Sequence, residues 1–296
     1  MLTGIPAAKT LCRFLIRKLS VLFIGVVIFC PQINSEAFAA NLGLIEPSEL
    51  KRNPSAWVIL DSRPKSEWTS GHIPGAISFS WEDYTRTDEN GVPYSIYPAS
   101  TLAKALGEMG INEKTAIVVY GDAEKSWGGE GWTCWVLSWL GHKGPIRLLA
   151  GGIQSWRINK FPVAAGDEKR DGKTVRYAFE LEPSIDISTE EIAKNKSSFV
   201  LVDTRSTLEW FKGRIPGAIH IPWEKFHTGK ERRPLSPVEL RKLLEKKGVD
   251  TRKTIIYYCT GGIRSGYAWL VHQLSGLPTA KNYEGGHEAW QKKYSK

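Results

Sequence analysis

The chain carries one pattern twice. Residues 61–81, DSRPKSEWTSGHIPGAISFSW, lie over residues 203–223, DTRSTLEWFKGRIPGAIHIPW, without a gap, and eleven of the 21 positions are identical. Further along, TAIVVY (115–120) falls on TIIYYC (254–259), and LAGGIQSW (149–156) on YEGGHEAW (283–290). Three blocks in one order, offset by 142, 139 and 134 residues, are too widely spaced for a solenoid unit and describe a duplicated domain. A chain of 296 residues, 42% hydrophobic, is long enough to build two separate cores. The polar stretch AAGDEKRDGKT (164–174) has the composition of a linker. The expected division is residues 40–165, a linker 166–179, and residues 180–296.

Each copy alternates strand and helix signals. WVILD, FVLVD, IVVY and IIYY are short, buried-strand candidates. Ser188 with Glu191, and Ser236 with Glu239 after Pro237, are helix-opening capping boxes. Strands that alternate with helices of about ten residues predict an α/β fold, a parallel sheet with helices on both faces. Such sheets place ligands at the carboxyl ends of their strands. Cys259 stands at one of those ends.

The first 39 residues are expected to be removed. Lys9, Arg13, Arg17 and Lys18 precede the apolar run LSVLFIGVVIFC, and Ala37 and Ala39 stand before Ala40, the pattern of a secretory signal peptide. The apolar run is too short to span about 30 Å of hydrocarbon as a helix. The expectation is an exported protein, periplasmic in a bacterium, without stable membrane association after cleavage. Cleavage leaves 36 Lys+Arg against 30 Asp+Glu, and no basic stripe interleaves with aromatics, so nucleic acid is not an expected partner. It also leaves only Cys134 and Cys259, too few for a disulfide scaffold.

The loop CTGGIRS, 259–265, says what one of those thiols is for. Gly261 and Gly262 allow a tight curl, and a tight loop feeding a helix N-terminus turns amide N–H groups inward as an anion nest. A thiol over such a nest is favoured as thiolate. Arg264 adds a planar, permanently charged fork of donors suited to an oxyanion. The first copy has Tyr120 at the matching place, then Gly121 and Asp122, and lacks the thiol.

Paired DSR…EW…GHIPGA blocks, a CxxGxR loop and a closing GG…W resemble the rhodanese family of sulfurtransferases in tandem two-domain form. The resemblance covers nearly the whole chain after residue 39. It implies two rhodanese-like domains, of which only the second is catalytic. It also implies that Cys259 accepts the outer sulfur of a donor as a persulfide and passes it to a thiophilic acceptor such as cyanide or a thiol. Thr260, Gly261, Gly262, Ile263, Arg264 and Ser265 would then hold the charged sulfur and the donor. Thiosulfate-preferring members commonly have two basic residues after the cysteine, and mercaptopyruvate-preferring members a small polar loop beginning with Gly. Thr260-Gly261-Gly262 is neither. A small loop with one arginine suits a compact dianion, so thiosulfate is the expected donor and 3-mercaptopyruvate the alternative, with a sulfur-carrying module that does not turn over as a third possibility. A cysteine phosphatase would carry Arg six positions after Cys, where Ser265 stands.

Asp61, Arg63, Asp203 and Arg205 recur in both copies, which favours an ion pair bracing the fold, although Arg205 is a candidate to line the pocket. Trp127, in the longer loop of the first copy, is a candidate wall, and Cys134 a core thiol. No cluster has metal-ligand spacing, and no phosphate-binding or dinucleotide motif implies a cofactor.

Overall fold

The computed structural model describes residues 41–168, 173–278 and 280–294. Residues 1–39, read from sequence as a signal peptide, lie outside these, as do linker residues 169–172. The first copy contributes β1 (Leu42–Ile45), β2 (Val58–Asp61), β3 (Ile77–Ser78), β4 (Thr85–Arg86), β5 (Ser95–Ile96), β6 (Ile117–Tyr120) and β7 (Ile146–Leu149). The second contributes β8 (Phe199–Asp203), β9 (Ile219–His220), β10 (His227–Thr228), β11 (Arg233–Pro234), β12 (Thr254–Tyr258) and β13 (Lys281–Tyr283). Each copy forms its own parallel sheet, ordered β1-β7-β6-β2-β3 in the first and β13-β12-β8-β9 in the second. Where β1 would recur, the second copy has the single parallel bridge Asp186–Asn282. The short pairs β4–β5 and β10–β11 are antiparallel ribbons.

The strands read as unbroken apolar runs because both sheet faces are buried. Along β12, Ile255 and Tyr257 enter one cluster, Ile256 and Tyr258 another. Along β6, Ile117 and Val119 part in the same way from Val118 and Tyr120. Each copy therefore has a private outer cluster, and the inner faces meet in a cluster common to both, with Trp132 and Trp135 from the first and Tyr267 and Trp269 from the second. Two helices, Gly129–Trp139 and Ile263–Leu274, carry this seam. They approach closely enough that a Cβ on Gly131 would stand 2.2 Å from Tyr267 Cα. The described residues of both copies accordingly cluster as one compact unit.

Both expected capping boxes are present, at Ser188–Glu191 and Ser236–Glu239, with a third at Ser206–Glu209 opening the helix Thr207–Lys212. Asp61 and Arg63 form a fully buried, multiply bonded pair that also holds Gly71 O, and Asp203 and Arg205 repeat it with Gly213 O.

Candidate active site

Strand register corrects the alignment of the two copies at the point that matters most. Asp61 pairs with Tyr120 and Asp203 with Tyr258, and both tyrosine hydroxyls accept the amide of the isoleucine before PGA, Ile73 or Ile215. Tyr120 therefore corresponds to Tyr258, and Gly121, not Tyr120, stands where Cys259 does. The amides of Ile153 and His287, equivalent in the GG…W blocks, bond Gly121 O and Cys259 O and give the same answer. A run buried on both faces slides by one residue at little cost in pattern, so T-A-I and T-I-I aligned out of step. The loop of the first copy is consequently four residues longer between its strand end and the left-handed glycine that opens its helix, Gly128 against Gly262.

Cys259 follows β12 directly; the residue is 1% exposed and lines a cavity of about 380 Å³. The second copy supplies Glu209, Cys259, Thr260, Gly261, Ile263 and Arg264; the first supplies Trp81, Glu82, Tyr94 and Trp127. Gly262 and Ser265 are not among the residues lining the cavity. Gly262 has φ of 80°, and Ser265 donates a hydrogen bond to Asn282 at 2.6 Å. Arg205 is bound to Asp203 and is not among the residues lining the cavity. Trp127 is a wall, 53% exposed.

Among the described residues, none of the six amide N–H groups from Thr260 to Ser265 donates to a backbone or side-chain acceptor. The loop of the first copy differs in this respect. There Asp122 N meets Ser126 Oγ, Glu124 N meets Asp122 Oδ1, and Lys125 N and Ser126 N meet Asp122 O. Glu130 stands at the helix position of Arg264 and accepts from Ser126 Oγ at 2.6 Å, and a Cβ on Gly121 would stand 2.2 Å from its carboxylate. Burial pushes that carboxyl up to about 7. One copy closes its loop upon itself; the other leaves a ring of donors open at the strand end.

The closing GG turn supports this ring from below. A Cβ on Gly286 would stand 2.3 Å from Thr260 O, so the backbones touch only because that residue is glycine. From the opposite side the first copy presses Tyr94 onto the loop, where a Cβ on Gly261 would stand 2.4 Å from Tyr94 Cβ. Glu284 ties the same ribbon down by accepting from Ile96 N at 2.6 Å.

Arg264 does not face the cavity alone. Its guanidinium donates to both Glu209 oxygens at 2.7 and 2.8 Å and to Thr260 Oγ1 at 2.6 Å, and Thr260 Oγ1 donates to Glu209 at 2.8 Å. Burial opposes the charge on Arg264, but the bonds to Glu209 and the sulfur of Cys259 outweigh it and raise its pKa further. Glu209 is held well below the usual carboxylate range: partial burial pushes it up, and the bonds from Arg264 and Ser206 prevail. Sequence reasoning missed Glu209, Trp81, Glu82 and Tyr94. Glu209 had two visible signals, since EW recurs in both copies and S-T-L-E is a capping box. In the first copy the matching Glu67 bonds a loop lysine, Lys125, at 2.7 Å.

Cys134 sits in the seam helix with no exposure, and burial pushes its thiol up, assisted by Glu130. His72 stacks on Trp68 where Arg214 lies over Trp210 in the second copy, so this position shields a tryptophan in both.

These features define a tandem sulfurtransferase scaffold. The rhodanese-like domain model matches residues 46–159 and 188–293, and the chain belongs to that family. It is 30% identical over 256 residues to a Mycolicibacterium smegmatis protein provisionally named a thiosulfate sulfurtransferase, covering 80% of this chain and 89% of that one. It is 27% identical over 258 residues to rat 3-mercaptopyruvate sulfurtransferase, covering 81% and 84%. The crystal structure of SseA from Escherichia coli, a 3-mercaptopyruvate sulfotransferase, superposes with a TM-score of 0.72 at 22% identity, covering 82% of this chain and 98% of that one. That likeness shows a common fold.

Proposed function

We propose that this protein transfers sulfane sulfur from a small anionic donor through a Cys259 persulfide to a thiophilic acceptor. The observation that carries the reading is the contrast between the two loops. Among the described residues, the loop after Cys259, unlike its counterpart in the first copy, has six unpaired amides at a strand end, beside a cavity that reaches solvent. Such a cradle stabilises negative charge on sulfur before and after transfer. The Cys259 thiolate attacks the outer sulfur of the donor, the donor's bond to that sulfur breaks, and the electron pair leaves with the remainder. With thiosulfate the remainder is sulfite, and Cys259 keeps the negatively charged persulfide.

Thiosulfate is favoured over 3-mercaptopyruvate. Its charge lies on the transferred sulfur itself and on oxygens two bonds from it, within the span of a small cradle. The carboxylate of 3-mercaptopyruvate lies three bonds from its sulfur and calls for a free guanidinium, whereas Arg264 is held by Glu209. On the reading of residues 1–39 as a secretory signal, the reaction takes place outside the cytoplasm. Mass spectrometry tests the proposal. Exposure to thiosulfate adds one sulfur atom at Cys259, and thiocyanate formation from thiosulfate and cyanide is abolished in Cys259→Ser. A sulfur found elsewhere, or turnover surviving that substitution, refutes it.

A further inference from the structure

The cavity is built for more than a compact dianion. Three of its ten lining residues are large aromatics, Trp81, Tyr94 and Trp127, and all come from the copy without a nucleophile. Two of them are held at cost. Tyr94 has φ of 63° and Trp127 of 54°, a left-handed conformation that bulky residues rarely adopt. Strain of this kind persists where surrounding structure over-determines it, and it gathers at ligand clamps. Both residues remain partly open to solvent, 41% for Tyr94 and 53% for Trp127, so burial does not explain the strain.

Charge gives the second constraint. The lining contains one cation and two carboxylates, and Arg264 and Glu209 neutralise each other. Glu82 remains. It is exposed, opens a short helix beside Trp81, and forms no ion pair among the described residues. A cation already rests on one wall, the Arg264 guanidinium 5.9 Å from the Trp127 ring centre. Aromatic faces beside an unpaired carboxylate are the chemistry that recognises a small ammonium group.

Resting on the sulfurtransferase reading above, we propose that the acceptor is a cationic thiol, selected by Glu82 with the Trp81, Tyr94 and Trp127 walls. The donor's sulfur is taken up by the loop amides. The acceptor thiolate then attacks the outer persulfide sulfur, the sulfur–sulfur bond to Cys259 breaks, and its electron pair returns to the cysteine as thiolate. The acceptor, its ammonium group held at Glu82 during the attack, then leaves as a persulfide.

The test uses three thiols of nearly one shape and different charge: cysteamine, 2-mercaptoethanol and 3-mercaptopropionate. The enzyme, without residues 1–39, is loaded with thiosulfate, and sulfite release reports loading on its own. Persulfide discharge to each thiol is then compared between wild type and Glu82→Gln. Intrinsic differences in thiol reactivity cancel in that comparison. The preference for cysteamine over 3-mercaptopropionate is expected to fall about three- to fivefold in Glu82→Gln, the size of an exposed charge contact. The wild-type preference should also shrink with added salt while that of the variant stays flat. Equal preferences in the two proteins overturn the inference and leave the sulfurtransferase reading standing. Failure to release sulfite overturns both.

Discussion

Substituting Gly131 by alanine tests whether the seam between the copies is set by backbone contact. The added Cβ would stand 2.2 Å from Tyr267 Cα and 2.6 Å from Tyr267 N, and both are main-chain atoms that cannot rotate away. Carbon atoms in contact prefer roughly 3.5–4.0 Å, so the helices must part by about 1.3 Å or more. Overpacking of this kind costs about 1–3 kcal/mol, and a backbone obstacle argues for the upper end. Against this, alanine is better than glycine in a helix by about 1 kcal/mol. The net expectation is a loss of about 2 kcal/mol, which for a cooperative unit of this size lowers Tm by about 4–8 °C. Calorimetry measures it directly. Activity supplies a second readout, because the parted helices would carry the aromatic walls away from Cys259, raising KM for acceptor more than they disturb loading by thiosulfate. A Tm equal to wild type or higher would show that helix propensity prevails and that the seam tolerates a methyl group, which refutes the argument.

Three further outcomes follow from the same coordinates. Burial, then the charge of Asp186, raise Glu284 from 4.5 to about 8, so the folded state favours its proton: that stabilisation is complete below about pH 4.5 and lost as pH rises through about 8. Glu284→Gln, whose amide oxygen still accepts from Ile96 N, should show a shallower fall of Tm across that window, and parallel curves would exclude the effect. In protein lacking residues 1–39, neutral iodoacetamide should alkylate one thiol in the native state and two after denaturation, because Cys134 has no exposure; rapid labelling of both would make Cys134 a reactive neighbour. Gly121→Cys in a Cys259→Ser background should restore no thiocyanate formation, since its Cβ would stand 2.2 Å from Glu130 and 2.7 Å from Ser126 Oγ; turnover would show that the first loop can open.

The scaffold was legible because its signals are local. The duplicated blocks, the strand ends at Asp61 and Asp203, and the caps at Ser188 and Ser236 each rest on residues adjacent in sequence. The thiol at 259 and the glycines after it belong to that class too. What sequence concealed were choices made between distant residues. Arg264 looks like a free anion anchor until Glu209, 55 positions earlier, takes a bond from each of its two terminal nitrogens. Arg205 looks like a possible pocket residue until Asp203 and Gly213 consume its donors. The one-residue slip at Tyr120 had a related cause: hydrophobic pattern fixes register where one face is wet, and these strands are dry on both faces.

The fate of the first copy shows why a domain without a nucleophile keeps its fold. Its own strand end is sealed: Glu130 fills the place over Gly121, and the amides of Asp122, Glu124, Lys125 and Ser126 are satisfied within the loop. The additional residues of that loop carry Trp127 to the cavity over Cys259, and Tyr94 reaches the same cavity from the β4–β5 ribbon. The second copy by itself would present Cys259 on an open loop, since the upper walls come from elsewhere in the chain. Persulfide is a reactive group that needs shelter from adventitious thiols and access for the intended one. A sealed domain whose surplus loops roof its twin meets both requirements, and the shared apolar seam of Trp132, Trp135, Tyr267 and Trp269 fixes the roof in position. On the function and acceptor site proposed above, the labour divides: the second copy determines which sulfur is carried, and the first which molecule collects it.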